Sequence, residues 1–351
     1  MSYFRENIDK LKGYEPGFQP SQVDVVKLNT NENPFPPSPK VMEMLSKITT
    51  EQLRRYPDPL GNRFRDAAAQ LNGVLPENIM CCNGGDDLLN LAFRACCDEN
   101  RPAVYPVPTY TLYPVLAKIQ NCQAIEIPFD DEFNLPSKLA ATSAALTIVC
   151  NPNAPSGTII SAEELASLAD EISGVLLIDE AYVDYAEKNC TSLIKDFDNV
   201  IILRSLSKGY SLAGLRFGYA IAQPELIEGL IKVKDSYNVD SIAIALATEA
   251  IKDQEYFKKN IEKIKSERNR LTEQLRKLGF GVPDSSANFV LARYKNGSAV
   301  EIHKELAKKN IYIRYFPYPR LEDKLRISIG KPEQDDKLIA ALKEILAVKQ
   351  A

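Results

Sequence analysis

From about Ile79 to Ile221 short apolar runs alternate with stretches of helical periodicity. That alternation is the signature of a mostly parallel sheet with helices on both faces, and it limits this part of the chain to an α/β architecture. The pattern then changes. The charged stretch from Phe257 to Leu278 places Phe257, Ile261, Ile264, Leu271, Leu275 and Leu278 on one stripe of a long helix, closed by Gly279. Beyond it come the apolar runs Asn288–Leu291, Ile311–Arg314 and Leu325–Ile329, with a helical pattern over Ala299–Lys308, which fits a smaller α+β domain. A chain of 351 residues is about two domains long. The expected division is an arm over 1–35, a large domain over 36–255, and a small domain over 256–351, with a connecting helix over 254–278. The first 35 or so residues, with Pro16, Pro20, Pro34 and the adjoining Pro36 and Pro37, are too proline-broken for a core segment, and the arm is expected to run over the small domain or a partner. The sequence shows no internal repeat and no low-complexity tract.

Four stretches carry the chemistry. The run Val200–Leu203 reads as a buried strand delivering Ser205, Ser207 and Lys208 at its carboxyl end, where open α/β sheets place ligands, with Arg216 close behind. Two hydroxyls, a lysine and an arginine there suit a cofactor whose aldehyde forms a Schiff base with Lys208 and whose phosphate is held by the serines and Arg216. A solvated Ser/Lys turn is the competing reading. Gly174–Ile178 is a second strand, ending in Asp179, Glu180 and Tyr182. A carboxylate buried there needs a cation, and a protonated pyridine nitrogen would serve as one. An acidic helix N-cap is the alternative. In Ile79–Leu89 an apolar strand is followed by Asn83-Gly84-Gly85-Asp86-Asp87 and an amphipathic helix, so unobstructed amides at the helix start can take a phosphate. This stretch has the spacing of neither the dinucleotide fingerprint nor the Walker loop. Finally, Pro108-Thr109-Tyr110 follows another strand and offers Tyr110 as a stacking ring or as a core aromatic.

Together these stretches resemble fold type I pyridoxal-phosphate enzymes, and most of all the histidinol-phosphate aminotransferase family. The resemblance runs from Leu28 to Gly330 and includes Leu28–Pro34, Arg55–Asp58, Asn151–Gly157 and Leu325–Gly330 as well as the four stretches. It implies pyridoxal 5'-phosphate as cofactor, with Lys208 carrying it and shuttling the proton, Asp179 on the ring nitrogen, Tyr182 on the phenolic oxygen and Tyr110 stacked on the ring. The phosphate would be held by the Gly85 and Asp86 amides, Ser205, Ser207 and Arg216, with Tyr56 lent by the other subunit of a homodimer. Arg314, Arg326 and Tyr14 match the positions that bind substrate anions. The implied reaction is amino transfer from histidinol phosphate to 2-oxoglutarate, giving imidazole acetol phosphate and glutamate. An aromatic amino-acid aminotransferase and a threonine-phosphate decarboxylase share the frame and remain alternatives. A cofactor-binding regulator is a third, with no stretch before Leu28 or after Gly330 long enough for a DNA-binding domain. The chain departs from the family twice. Ala154 stands where an asparagine usually contacts the phenolic oxygen, leaving Asn153, Asn151 or Tyr182 alone to do so, and Asp87 replaces a glutamate after Gly-Gly-Asp.

A net charge of −4 argues against nucleic acid as the main partner. The seven cysteines include the adjacent pairs Cys81-Cys82 and Cys96-Cys97 but no C-x-x-C spacing, which points to reduced thiols in a cytoplasmic protein and to no metal site. The polar start and the lack of a long apolar run predict neither a signal peptide nor a membrane span. The one histidine, His303, lies in an amphipathic helical stretch and is expected to pack rather than react.

Overall fold

The computed structural model describes residues 2–14, 16–21 and 24–348. The remaining residues of the expected arm and of the expected small domain lie outside it. Among the described residues twelve strands form two sheets. In chain order they are β1 (Val26–Leu28), β2 (Ile79–Cys82), β3 (Ala103–Val107), β4 (Ala124–Pro128), β5 (Leu146–Cys150), β6 (Val175–Asp179), β7 (Val200–Ser205), β8 (Gly218–Ala222), β9 (Phe280–Gly281), β10 (Phe289–Tyr294), β11 (Ile311–Tyr315) and β12 (Lys324–Ser328).

The larger sheet has the order β2-β8-β7-β6-β5-β3-β4. Strands β7, β6, β5, β3 and β4 run parallel, whereas β8 is antiparallel to both β7 and β2. The strands read as continuous apolar runs because both faces are covered. Val149, Leu176, Ile178 and Ile202 belong to one core, and Ile148, Leu177, Ile201 and Leu203, their neighbours of opposite parity, to the other. Register sets Cys150 beside Asp179, and Asp179 beside Leu203, so the carboxyl ends of β5, β6 and β7 open at one level. That level is where the site lies.

The second sheet has the order β1-β11-β12-β10-β9, antiparallel except that β1 pairs parallel with β11. The helix Gln254–Lys277 covers it with Ile261, Ile264, Leu271 and Leu275, the stripe read from the sequence, joined by Ile302 and Leu306 of the helix Ala299–Lys308 and by Leu338 and Leu342 of the helix Pro332–Val348. The expectation that residues 1–35 contribute nothing to a core is corrected by β1, where Val26 and Leu28 are buried. Pro20 and Pro34 flank this apolar run rather than interrupt it, so its amides stay free to pair with β11. Earlier in the same segment, Arg5 and Asn7 donate to the carbonyls of Ile119 and Lys118 at the end of the helix Tyr113–Gln120, which packs on the larger sheet. The described part of the segment therefore touches both layers.

Candidate active site

A cavity of about 520 Å³ opens at the carboxyl ends of β5, β6 and β7 and is closed by β11, β12 and the N-terminal segment. It gathers residues that lie far apart in sequence. Lys208, Asp179, Tyr182 and Tyr110 line it, as do Gly85, Asp86, Ser205, Ser207 and Arg216, and so do Tyr14, Arg314 and Arg326.

Lys208 follows β7 in a loop held by Leu206 N–H to Phe217 O at 3.0 Å and by the Asn33 amide, which donates to the carbonyls of Lys208 and Gly209. A Cβ at Gly209 would fall 2.2 Å from Asp184 Oδ2, so only glycine lets the loop press this close. Desolvation, then the neighbouring Arg326 guanidinium, pull the Lys208 amine down to about 8, against the opposing charges of Asp86 and Glu32 and with a smaller push from Arg216. Of the two guanidiniums acting on this amine, Arg216 is thus the lesser.

Asp179 closes β6 and is buried. Its Oδ2 accepts from Tyr113 Oη at 2.7 Å and its Oδ1 from the Ala181 amide at 3.1 Å. Burial pushes this carboxyl up to about 6 despite both bonds, and among the described residues no cation lies within ion-pair distance of it. The helix-cap alternative fails because only a short 3-10 turn, Val183–Tyr185, follows. Beside it, Glu180 is fully buried but paired with Arg204 Nε at 2.7 Å, and Arg204 also donates to Thr191 Oγ1. Tyr113 and Arg204 were not foreseen. The signal for Tyr113 was a second tyrosine three residues past Tyr110, and for Arg204 a lone cation inside an apolar strand.

At the opposite wall Gly84, with φ +84°, leads into the helix Gly85–Cys96. A Cβ at Gly84 would lie 2.8 Å from Arg216 Nη2, so the helix start and the guanidinium share one confined space. Arg216 donates to Asp86 Oδ2 at 3.3 Å, and Tyr110 Oη donates to Asp86 Oδ1 at 3.1 Å. Ser205 and Ser207 are buried nearby, with the Ser207 amide donating to Ser205 Oγ. Free amides, hydroxyls and a cation at a helix N-terminus make an anion cradle. Tyr14 meets the Tyr110 ring edge-on at 6.0 Å.

Arg314 and Arg326 are direct partners in the β11–β12 register. Neither is paired with the nearby Asp323, which is engaged with Arg293 and Lys324. Arg326 donates to Asn29 O at 2.9 Å, packs between Phe289 and Phe316, and among the described residues leaves its buried Nε without a partner.

Two expected residues are elsewhere. Asn153 is buried outside the cavity lining, its amide donating to Ser156 Oγ and Pro108 O and accepting from Thr109 Oγ1, while Asn151 is engaged with Ile160. The asparagine that reaches Tyr182 is Asn31, whose Nδ2 lies 3.0 Å from the phenol oxygen. Tyr56 does not line the cavity of its own chain. It is 81 % exposed and stacked on Tyr237 at 4.5 Å. His303 packs beside the Tyr315 ring. Every cysteine is unpaired and buried, and among the described residues no His/Cys/Asp/Glu cluster is arranged for a metal and no helix is long and apolar enough to cross a membrane.

One cavity therefore offers an anion cradle, an uncompensated carboxylate, a lysine of lowered basicity and a second cationic pocket. The family model described as aminotransferase class I and II matches residues 23–342. The chain is 48 % identical over 347 residues to histidinol-phosphate aminotransferase 1 of a Nostoc species, covering 98 % of each chain. It is 43 % identical to the histidinol-phosphate aminotransferase of Citrifermentans bemidjiense, over 98 % of this chain and 99 % of the other. Its fold superposes on the structure of histidinol-phosphate aminotransferase from Sinorhizobium meliloti in complex with pyridoxal-5'-phosphate with a TM-score of 0.91 at 26 % identity, covering 99 % and 98 % of the two chains. This chain belongs to the class I and II aminotransferases and, within them, to the histidinol-phosphate aminotransferase family.

Proposed function

We propose that this aminotransferase binds pyridoxal 5'-phosphate and moves the amino group of histidinol phosphate to 2-oxoglutarate, giving imidazole acetol phosphate and glutamate. The observation that carries this reading is the opposed pair Arg314 and Arg326. Like charges set directly across two strands are unfavourable, and an unpartnered buried Nε is costly. An anionic substrate end relieves both. Phosphate in one half-reaction and carboxylate in the other are the anions these two substrates share, and guanidinium forks suit either.

The residues present fit the cofactor. Asp179, buried without a cation, suits a protonated pyridine nitrogen. Gly85, the Asp86 amide, Ser205, Ser207 and Arg216 suit its phosphate, with Gly84 leaving the room a Cβ would fill. When bound, pyridoxal phosphate supplies an aldehyde that takes up amines and a ring that spreads the negative charge left when a proton departs from carbon. Lys208 is its attachment point and, as a free amine whose basicity burial has lowered to about 8, is suited to carry the proton at neutral pH. Tyr110 would bound the ring face, Tyr182 would meet the phenolic oxygen, and Tyr14 with the two arginines would orient the substrate, all of them lining the one cavity. On this reading the two sheets are the cofactor-bearing and the substrate-closing domains of a cytoplasmic enzyme.

Tyr56, exposed and turned away from its own cavity, would complete the phosphate site of a second copy, making the active unit a homodimer with shared sites. Sedimentation at assay concentration is expected to show a dimer. A fully active monomer would remove Tyr56 from the site.

The reaction is tested by supplying the holoenzyme with 2-oxoglutarate and, in parallel, histidinol phosphate, phenylalanine or threonine phosphate. Glutamate is expected from histidinol phosphate at least about tenfold faster than from phenylalanine, the effect of one charge-assisted contact. Equal rates would make the protein an aromatic aminotransferase, and carbon dioxide from threonine phosphate would make it a decarboxylase.

A further inference from the structure

We infer that Asn31 is a positioning residue for the Tyr182 phenol, supplying through Tyr182 the amide donor that the chain lacks at Ala154; this rests on the reading that the cavity holds pyridoxal phosphate. Asn31 is 1 % exposed and sits in the left-handed region with φ 57°, which asparagine tolerates better than most residues. Three hydrogen bonds from two residues fix it. Its amide N–H donates to Ser328 Oγ at 2.9 Å, Ser328 Oγ–H donates back to its Oδ1 at 2.8 Å, and Asn288 Nδ2 donates to its carbonyl at 2.9 Å.

The side-chain amide presents Oδ1 to the Ser328 hydroxyl and Nδ2 to the phenol. Reversing it would take the Oδ1 acceptor away from the Ser328 hydroxyl hydrogen and would let the phenol spend its own hydrogen on Asn31. As held, Nδ2 donates to Tyr182 Oη at 3.0 Å. An amide nitrogen cannot accept, so the phenol's own hydrogen is left for another acceptor. Burial keeps the phenol protonated, raising it to about 12, so that hydrogen is present at neutral pH. Ala154 lines the same cavity, and Asn151 and Asn153 are bound elsewhere. The donor thus comes from beside β1 and is anchored by β12, so the position of the second sheet sets the orientation of a phenol borne by the first.

The groups facing this phenol are Arg326, Asp179, Cys150, Tyr110 and Tyr185, with the Lys208 amine 5.6 Å from the centre of its ring, and those facing Lys208 are Arg326, Arg216, Asp86 and Glu32. None of these side chains is itself substituted when Asn31 is changed, and the double variant with Tyr182 separates any effect carried by the neighbouring carbonyls of Thr30 and Asn29, which accept from Lys208 and Arg326. A donor that stabilises negative charge on the cofactor's phenolic oxygen weakens the hold on the proton near the Lys208 nitrogen, and losing the donor strengthens it. Asn31→Gly keeps a residue suited to positive φ and removes the amide.

The test is a pH titration of the visible absorbance of the holoenzyme, read independently of turnover. Asn31→Gly is expected to raise the midpoint by roughly half a unit to one unit, the size of one neutral hydrogen bond. Tyr182→Phe should raise it at least as much, and the double variant no further than Tyr182→Phe alone, because one pathway carries both effects. Should Asn31→Gly not fold, Ser328→Ala, which frees the Asn31 amide to turn, should give a smaller rise. An unchanged midpoint in the Asn31 or Ser328 variant, no shift in Tyr182→Phe, or additive shifts in the double variant would overturn the inference while leaving the cofactor reading intact. A wild-type protein with no visible band would instead overturn that reading.

Discussion

Lys208→Ala is expected to cut turnover by at least about a thousandfold, because the change removes both the attachment amine and the proton carrier. The protein should remain folded. In the folded chain the Lys208 amine holds its proton less tightly than an ordinary lysine, about 8 against 10.5. The unfolded chain therefore binds more protons between those values, and the lysine costs stability that is fully present below about 8 and fades as pH rises toward 10.5. Cofactor-free Lys208→Ala should accordingly melt no lower than the parent at neutral pH. Thermal melts and steady-state rates measured side by side check this. Retained turnover, or a melt that collapses together with activity, would show that the lysine holds the fold rather than the chemistry.

The second large effect is expected at Arg326. A charge-assisted contact to a buried anion contributes about 1.5 to 3 kcal/mol, so Arg326→Leu should raise KM roughly ten- to a hundredfold for both histidinol phosphate and 2-oxoglutarate. Arg326→Lys keeps the charge but loses the planar fork and should recover only part of that loss. Arg326 also donates to Asn29 O and packs between Phe289 and Phe316, so a melt of each variant separates lost binding from lost packing. If KM for the phosphate substrate stayed at the wild-type value while that for 2-oxoglutarate rose, the two anions would not share this pocket.

The parallel strands were legible because burial on both faces leaves continuous apolar runs, as in Leu146–Cys150 and Val200–Leu203. The helix Ala299–Lys308 was legible because its pattern is capped by Ser298 and broken after Lys308. That Lys208, Asp179 and Tyr182 gather at one cavity was readable for a related reason: they stand at or just beyond strand ends, where a polar or charged group following an apolar run is costly to bury unless a ligand or partner meets it. Residues whose meaning depends on a distant partner could not be read. Asn31 lies in the Leu28–Pro34 stretch that carries the resemblance, but nothing local points to its partner, and only β1 pairing with β11 brings it to Ser328 and against Tyr182. Asn153 has the right type and neighbourhood, yet local bonds to Ser156 and Thr109 turn its amide away. Tyr113 became visible only when the helix after Tyr110 brought its hydroxyl to Asp179. The opposition of Arg314 and Arg326 is a matter of register, which depends on how β11 meets β12 rather than on either strand alone.

The claim beneath all of these expectations is that one lysine at the end of β7 carries the cofactor. Reducing the holoenzyme with borohydride fixes the cofactor to whichever amine holds it, and a peptide mass map then names that residue. The account predicts the added mass on the peptide containing Lys208 and its loss in Lys208→Ala. A map that placed it on another lysine, or found no cofactor on any peptide, would contradict the account.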